Sequence, residues 1–215
     1  MSSSSESNVA HFDEAAKTWA EEPRRIALGE AMAGVIAEAI PLTSDTRALD
    51  FGCGVGLVCV PLAPKVGSIT AADTSLGMLA ALEARVRELG ITNIMPRTLP
   101  TDALEDGAFD FVYTCMVLHH VADVEAQLQQ FAAWCAPGGW LLISDLETED
   151  GTFHGADAGP VHHGFDPREL AKQLEGLGFT IGEAQTIHTL KRDRGEEKDK
   201  EYSLFMLTAR KDVAM

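Results

Sequence analysis

The feature that most constrains the fold is a short apolar run that ends in glycines at alternate positions. The run 48–51 is followed by Gly52, Gly54 and Gly56, and then by the apolar segment 57–62. This pattern is typical of a buried strand that turns sharply into a helix, with a backbone bare enough to contact a ligand. The amide groups at the start of such a helix can meet polar groups of that ligand.

The rest of the chain alternates apolar runs with segments of helical spacing. Further strands are predicted at 66–72, 93–99, 109–115, 140–144, 179–190 and 202–210. Helices are predicted at 11–20, 24–40, 76–89, 124–136 and 167–176. Strands that alternate with helices indicate an α/β fold with a doubly wound, mostly parallel sheet.

Length and composition suit one domain with a large core. The chain has 215 residues, 46% of them hydrophobic, and no glycine- or serine-rich linker divides it. We therefore predict a single domain at 11–215, preceded by a disordered tail at 1–10. The charged segment 191–200 is interpreted as a solvated hairpin tip.

The net charge and the cysteines indicate which partners and which cellular compartment to expect. A formal net charge of -16 argues against a nucleic-acid partner, because phosphate binding relies on Lys and Arg. The four cysteines show no Cys-x-x-Cys spacing and read as reduced thiols, which indicates a cytoplasmic protein. No apolar stretch approaches the roughly 18 residues expected of a membrane span, so no membrane partner is predicted.

Several motifs together resemble class I S-adenosylmethionine (SAM) methyltransferases. The spacing acidic-x-Gly-x-Gly-x-Gly at 50–56 resembles the first motif of that family. Asp73 follows about twenty residues later, where the family places a carboxylate that accepts both ribose hydroxyls. Segments 109–123 and 137–141 resemble the fourth strand and the turn into the fifth. The set is most similar to small-molecule methyltransferases of ubiquinone and menaquinone biosynthesis.

This resemblance implies a topology, a cofactor and a reaction. The sheet should have seven strands in the order 3-2-1-4-5-7-6, a Rossmann-like fold in which only the last strand in sequence runs antiparallel. The N-terminal helices at 11–40 should cover the cofactor site, and the cofactor should be SAM. The reaction should be in-line transfer of a methyl group to an oxygen, nitrogen or sulfur atom of a small molecule, which is mainly catalysis by positioning.

The resemblance also assigns residues to the cofactor. The implied contacts are Asp50, Gly52, Cys53, Gly54, Gly56, Asp73, Thr74, Met78, Asp102 and Cys115. Asp102 stands at the nearest match to an acidic residue that meets the adenine amino group.

The catalytic residues are predicted from their positions after two strands. His119 follows the predicted fourth strand and Asp145 ends the fifth, at the rim where ligands bind in an open α/β sheet. We interpret His119 as a base that deprotonates or orients the acceptor, with Asp145 over the same pocket as its support. The family resemblance implies that His120 packs inward, while His119 faces the acceptor pocket. The alternative is that both histidines pack or cap the next helix, and that Asp145 is a solvated loop residue.

Other aromatic and imidazole groups are candidates for the acceptor pocket. Trp19, His154 and His163 are predicted to line it. With His162 and nearby carboxylates, these histidines could also bind Zn²⁺ or Mn²⁺. No His-x-x-x-His or Cys-x-x-Cys spacing supports such a site and the donor chemistry needs no metal, so no metal is predicted.

Two other functions remain open alongside methyl transfer. The first is a SAM-binding sensor or partner protein that lacks catalysis. The second is a nicotinamide-dependent oxidoreductase, although Leu57 stands where the third glycine of the dinucleotide motif belongs. The oligomeric state is left as monomer or homodimer.

Overall fold

The computed structural model describes residues 3–100, 104–154, 161–194 and 197–213. The strands in this part of the chain are β1 (Arg47–Phe51), β2 (Ser68–Asp73), β3 (Ile94–Thr98), β4 (Phe109–Cys115), β5 (Cys135–Leu146), β6 (Phe179–Arg194) and β7 (Glu197–Lys211). The α-helices are α1 (Ser3–Trp19), α2 (Pro23–Ala39), α3 (Cys59–Leu62), α4 (Leu76–Leu89), α5 (Val124–Trp134) and α6 (Pro167–Gly176).

The strands form one sheet with the order β3-β2-β1-β4-β5-β7-β6. β1 pairs in parallel with β2 and β4, whereas β7 pairs antiparallel with both β5 and β6. The predicted fold class and strand order are therefore confirmed. The order reverses between β1 and β4, and the carboxyl ends of strands at such a switch point form the ligand crevice of open α/β sheets.

Alternating side chains on the central strands divide the core between the two faces of the sheet. Leu49 and Val112 pack on one face with side chains of α5 and α6. Ala48 and Phe111 pack on the other face with side chains of α2, α3 and α4. Because both faces are covered, these strands read as continuous apolar runs rather than as alternating ones.

The start of β5 differs clearly from the sequence prediction. β5 begins at Cys135 rather than at 140, because Cys135 pairs with Phe109 and Trp140 pairs with Phe111. The predicted Pro-Gly-Gly turn thus lies inside the strand as an irregularity of its register.

The predicted hairpin tip at 191–200 is largely paired strand. Lys191 lies opposite Glu201, and their charged groups are 3.1 Å apart. Opposite charges that face each other across strands stabilise the pairing, so the charged composition does not end the strands here.

The N-terminal helix also differs from its prediction and is fixed to the glycine turn. α1 begins at Ser3 rather than at 11, so it includes most of the segment expected to be a disordered tail. The carboxylate of Asp13 accepts hydrogen bonds from Ser75 Oγ at 2.5 Å and from Gly77 N at 2.9 Å. These contacts hold α1 against the start of α4, and Ala16 packs there with Val55.

Candidate active site

The three glycines of the turn have different roles. All three have positive φ values, of 77° at Gly52, 53° at Gly54 and 80° at Gly56. A Cβ on Gly52 would lie 2.3 Å from Val117 Cγ2, and one on Gly56 would lie 2.4 Å from Leu82 Cδ1. A Cβ on Gly54 would meet no atom closer than 4.0 Å. Gly52 and Gly56 are therefore required by packing, while Gly54 presents bare backbone to open space.

Two carboxylates flank this turn. Asp73, at the end of β2, accepts hydrogen bonds from Gly54 N at 2.8 Å and from Ser75 N at 2.9 Å. Burial raises the pKa of Asp73, and burial raises that of Asp50 more, to about 7. Asp50 Oδ2 is buried without a hydrogen-bond partner among the described residues. The turn is thus held from one side by Asp73 and lies beside a buried acid on the other.

A cavity of about 430 Å³ lies above the turn, between α1, α2 and the carboxyl ends of the strands. The predicted site residues that line it are Trp19, Asp50, Gly52, Cys53, Gly54, Asp73, Thr74, Met78, Cys115, His119 and His154. Gly56, Asp145 and His163 are not among its lining residues. Asp102 lies outside the described residues.

His119 and Asp145 form a buried pair at the side of this cavity. His119 Nδ1 lies 2.5 Å from Asp145 Oδ1, and the His119 backbone N–H donates to Asp145 Oδ2 at 3.2 Å. Their side chains are 1% and 0% exposed. The predicted contact between the two is present, but the carboxylate lies beneath the imidazole rather than over the pocket. His119 Nε2 has no hydrogen-bond partner among the described residues.

The neighbouring histidines are arranged differently from the prediction. His120 was expected to pack inward, yet it is half-buried, lines the cavity and lies edge-to-face with Phe12 at 5.2 Å. Burial, followed by repulsion from His119, His154 and His11, lowers the pKa of His120 to about 3. The short 3₁₀ turn at Leu118–His120 decides which ring is covered, and residue order alone does not show this.

The two loop histidines that were expected to line the acceptor pocket, His154 and His163, lie in different places. The His154 ring lies 4.9 Å from that of His119 and 5.1 Å from that of His120, centre to centre. His163 is 57% exposed and has its Nδ1 3.5 Å from Glu149 Oε1. The structure therefore brings His154 into the site and leaves His163 outside it.

Several lining residues lie outside the set of predicted site residues. Arg25 stacks over the Trp19 ring at 3.7 Å, and Met116 adopts a positive φ of 59° directly after β4. Leu190 and Arg192 line the cavity from β6. Arg192 lies in the charged segment 191–200, which was interpreted as solvated, and Leu190 directly precedes it. The sequence did not indicate how far the β6–β7 pairing extends, and this extension is what brings both residues to the cavity.

The sheet order, the glycine turn at its switch point and the carboxylate after β2 define a Rossmann-like protein with a cofactor site at the strand ends. A family model described as a methyltransferase domain matches residues 20–184. The chain belongs to this methyltransferase family. This confirms the resemblance found in the sequence, with SAM as the cofactor.

Individual relatives agree with this family assignment. A ubiquinone biosynthesis O-methyltransferase of Rhodopseudomonas palustris is 32% identical over 162 residues, which cover 68% of this chain and 63% of that protein. An uncharacterized methyltransferase of Schizosaccharomyces pombe is 28% identical over 163 residues, covering 66% of this chain and 57% of that protein. The chain thus spans less than two thirds of the length of these relatives.

The fold is shared with solved structures. The DhpI–SAH complex superposes with a TM-score of 0.72 at 20% identity, and the alignment covers 97% of both chains.

Among the described residues, none of the helices combines the length and the apolar composition that a membrane span needs.

The residues of the turn fit the cofactor of this family. Gly54 leaves open space beside its backbone, because a Cβ there would meet no atom closer than 4.0 Å. Asp73 faces the same cavity with a carboxylate that can accept from hydroxyl groups, and Met78 lies beside it. Asp50 supplies a buried carboxylate oxygen that still lacks a donor.

Proposed function

We propose that this protein transfers a methyl group from SAM to an oxygen, nitrogen or sulfur atom of a small molecule. One observation carries the proposal: a single cavity joins the glycine turn to the imidazole of His119, which Asp145 holds from behind. The relatives named as O-methyltransferases of ubiquinone biosynthesis favour an oxygen atom as the acceptor.

The walls of the cavity favour a small and partly apolar acceptor. Side chains from α1 and α2 close it on one side, and Leu190 of β6 closes it on another. Apolar lining residues of the cavity include Leu28, Met32, Met116, Val117 and Phe153. A net charge of -16 disfavours a polyanionic acceptor such as a nucleic acid.

The pair His119–Asp145 is suited to take a proton from the acceptor. When bound, SAM supplies a methyl group on a positively charged sulfur, a donor that is already activated. His119 Nδ1 donates its hydrogen to Asp145 Oδ1, and this leaves the lone pair on Nε2, the nitrogen without a partner. The buried carboxylate stabilises the ring once it has accepted a proton, as an aspartate does in a catalytic triad.

The proposal is tested by incubating the protein with labelled SAM and a panel of phenols, thiols and amines. We expect turnover on at least one acceptor, and a rate about 10²–10⁴-fold lower for His119→Ala with unchanged SAM affinity. His188→Ala is the matched control, because His188 lies on β6 outside the cavity lining.

Three results would contradict parts of this proposal. Stabilisation by NAD but not by SAM in a thermal-shift experiment would make the protein a nicotinamide-binding one. SAM binding without turnover on any acceptor would favour the non-catalytic alternative. Near-normal turnover of His119→Ala would remove His119 as the base and leave catalysis by positioning.

A further inference from the structure

We propose that His119, His120 and His154 form a binding site for a divalent transition metal, of the Zn²⁺ type, at the acceptor end of the cavity. One ring nitrogen of each of the three residues lies within 4.8 Å of those of the other two. The residues come from the turn after β4 and from the loop after β5, so no sequence motif joins them.

The unused nitrogens of two rings point to a ligand. His119 Nε2 and His120 Nδ1 are buried and have no hydrogen-bond partner among the described residues. Buried polar atoms are normally paired, because leaving one unpaired costs about 1–3 kcal/mol. Two such atoms on adjacent residues, whose rings lie 4.1 Å apart, are explained if both bind the same ion.

The contact between His119 and Asp145 has the form that metal sites use. A histidine that binds a metal usually donates its other ring N–H to a carboxylate, which fixes the tautomer and the direction of the ring. Asp145 Oδ1 accepts from His119 Nδ1 at 2.5 Å, so the nitrogen left for an ion is Nε2.

The type of ligand favours zinc or a similar ion over magnesium. Three imidazoles suit Zn²⁺, Cu²⁺ or Ni²⁺, whereas Mg²⁺ requires oxygen ligands. Zn–N bonds of about 2.0–2.1 Å in a tetrahedron place the nitrogens roughly 3.3 Å apart. The nitrogens, which lie within 4.8 Å of one another, therefore have to approach by up to about 1.5 Å, and rotation about the His120 and His154 side-chain bonds can provide this.

This inference rests on the proposed function and deepens it. Three protein ligands leave a fourth position of a tetrahedral ion open, and here it faces the cavity. That position would hold an acceptor oxygen or sulfur through its lone pair, after the atom has released its proton to solvent. In the metal-bound protein His119 is then a ligand rather than a base, and the acceptors selected are hydroxyls and thiols rather than amines.

The site is tested by titrating the purified, untagged protein with Zn²⁺ by calorimetry, without SAM or acceptor. We expect one ion per chain, and at least tenfold weaker binding for His120→Ala and for His154→Ala. His163→Ala is the matched control and should bind as the wild type does, because that exposed histidine lies outside the cluster. Asp145→Asn should weaken binding about 10–100-fold, since it acts through the His119 ring.

Replacing Zn²⁺ by Co²⁺ identifies the ligands even if a variant folds poorly. Tetrahedral coordination by nitrogen gives visible absorption without a thiolate charge-transfer band, whereas the nearby Cys115 would add that band as a ligand. Such a band, no stoichiometric binding, or equal binding by wild type and both histidine variants would overturn the inference. SAM affinity and methyl transfer are measured in separate experiments. Each of these results would therefore reject the metal site without deciding whether the protein is a methyltransferase.

Discussion

Removing the charge of Asp73 should weaken cofactor binding while it spares the protein without cofactor. In the proposed complex, the carboxylate accepts two hydrogen bonds from ribose, each to a charged acceptor and so worth about 1.5–3 kcal/mol. Loss of a single such bond corresponds to about a tenfold or greater fall in affinity. Asp73→Ala should lose both bonds, and Asp73→Asn should weaken both.

For the protein without cofactor, removing the charge of Asp73 should increase stability at higher pH rather than weaken an interaction. Asp73 accepts hydrogen bonds from the backbone N–H groups of Gly54 and Ser75, yet burial still raises its pKa. A carboxyl group with a raised pKa in the folded state adds stability below the pKa of the unfolded chain, and this stability is lost as pH rises. Relative to wild type, the Asp73→Asn protein should therefore gain stability as pH rises from 4 to 8.

Calorimetric titration with SAM, combined with thermal unfolding at pH 8, separates these two effects. Asp106→Asn is the matched control, because it removes the same charge from an exposed position outside the cavity lining. We expect a tenfold or larger fall in affinity only for the Asp73 variants, without a matching loss of unfolding temperature in Asp73→Asn. Unchanged SAM affinity in a folded Asp73→Ala protein would refute the site assignment.

Three further variants test the turn and its surroundings. Burial raises the pKa of Asp50 to about 7, so Asp50→Asn should stabilise the protein without cofactor at pH 8 by up to about 4 kcal/mol, with the gain vanishing near pH 4. Denaturant unfolding at both pH values checks this, and lower stability than wild type at pH 8 would contradict it. Gly52→Ala should destabilise the fold by several times the roughly 1–2 kcal/mol expected for Gly54→Ala, because only the former meets Val117. Gly54→Ala should instead lose SAM affinity, and similar unfolding temperatures for the two variants would count against this division of roles.

Local patterns in the sequence were sufficient for most of the secondary structure, and for the glycine turn and the carboxylate that line the cavity. Alternation of apolar strands with helices depends on spacings of two and of 3.6 residues, which are visible in one segment at a time. The turn at Gly52, Gly54 and Gly56 and the carboxylate of Asp73 each depend on a few consecutive residues. The strand order came from the family resemblance, since periodicity does not say which strands are neighbours.

The acceptor half of the site was decided only by the tertiary structure. His154 reaches His119 and His120 from a different loop, and β6 contributes Leu190 and Arg192 because its pairing with β7 runs further than its composition suggests. The 3₁₀ turn after β4 buries the His119 ring on Asp145 at the side of the cavity, and it also turns His120 to the cavity, contrary to the expectation for His120. Some of these contacts join residues that are far apart in the chain, and others depend on the conformation of a single backbone turn. Neither kind produces a periodic pattern in the sequence, so neither could be predicted from it.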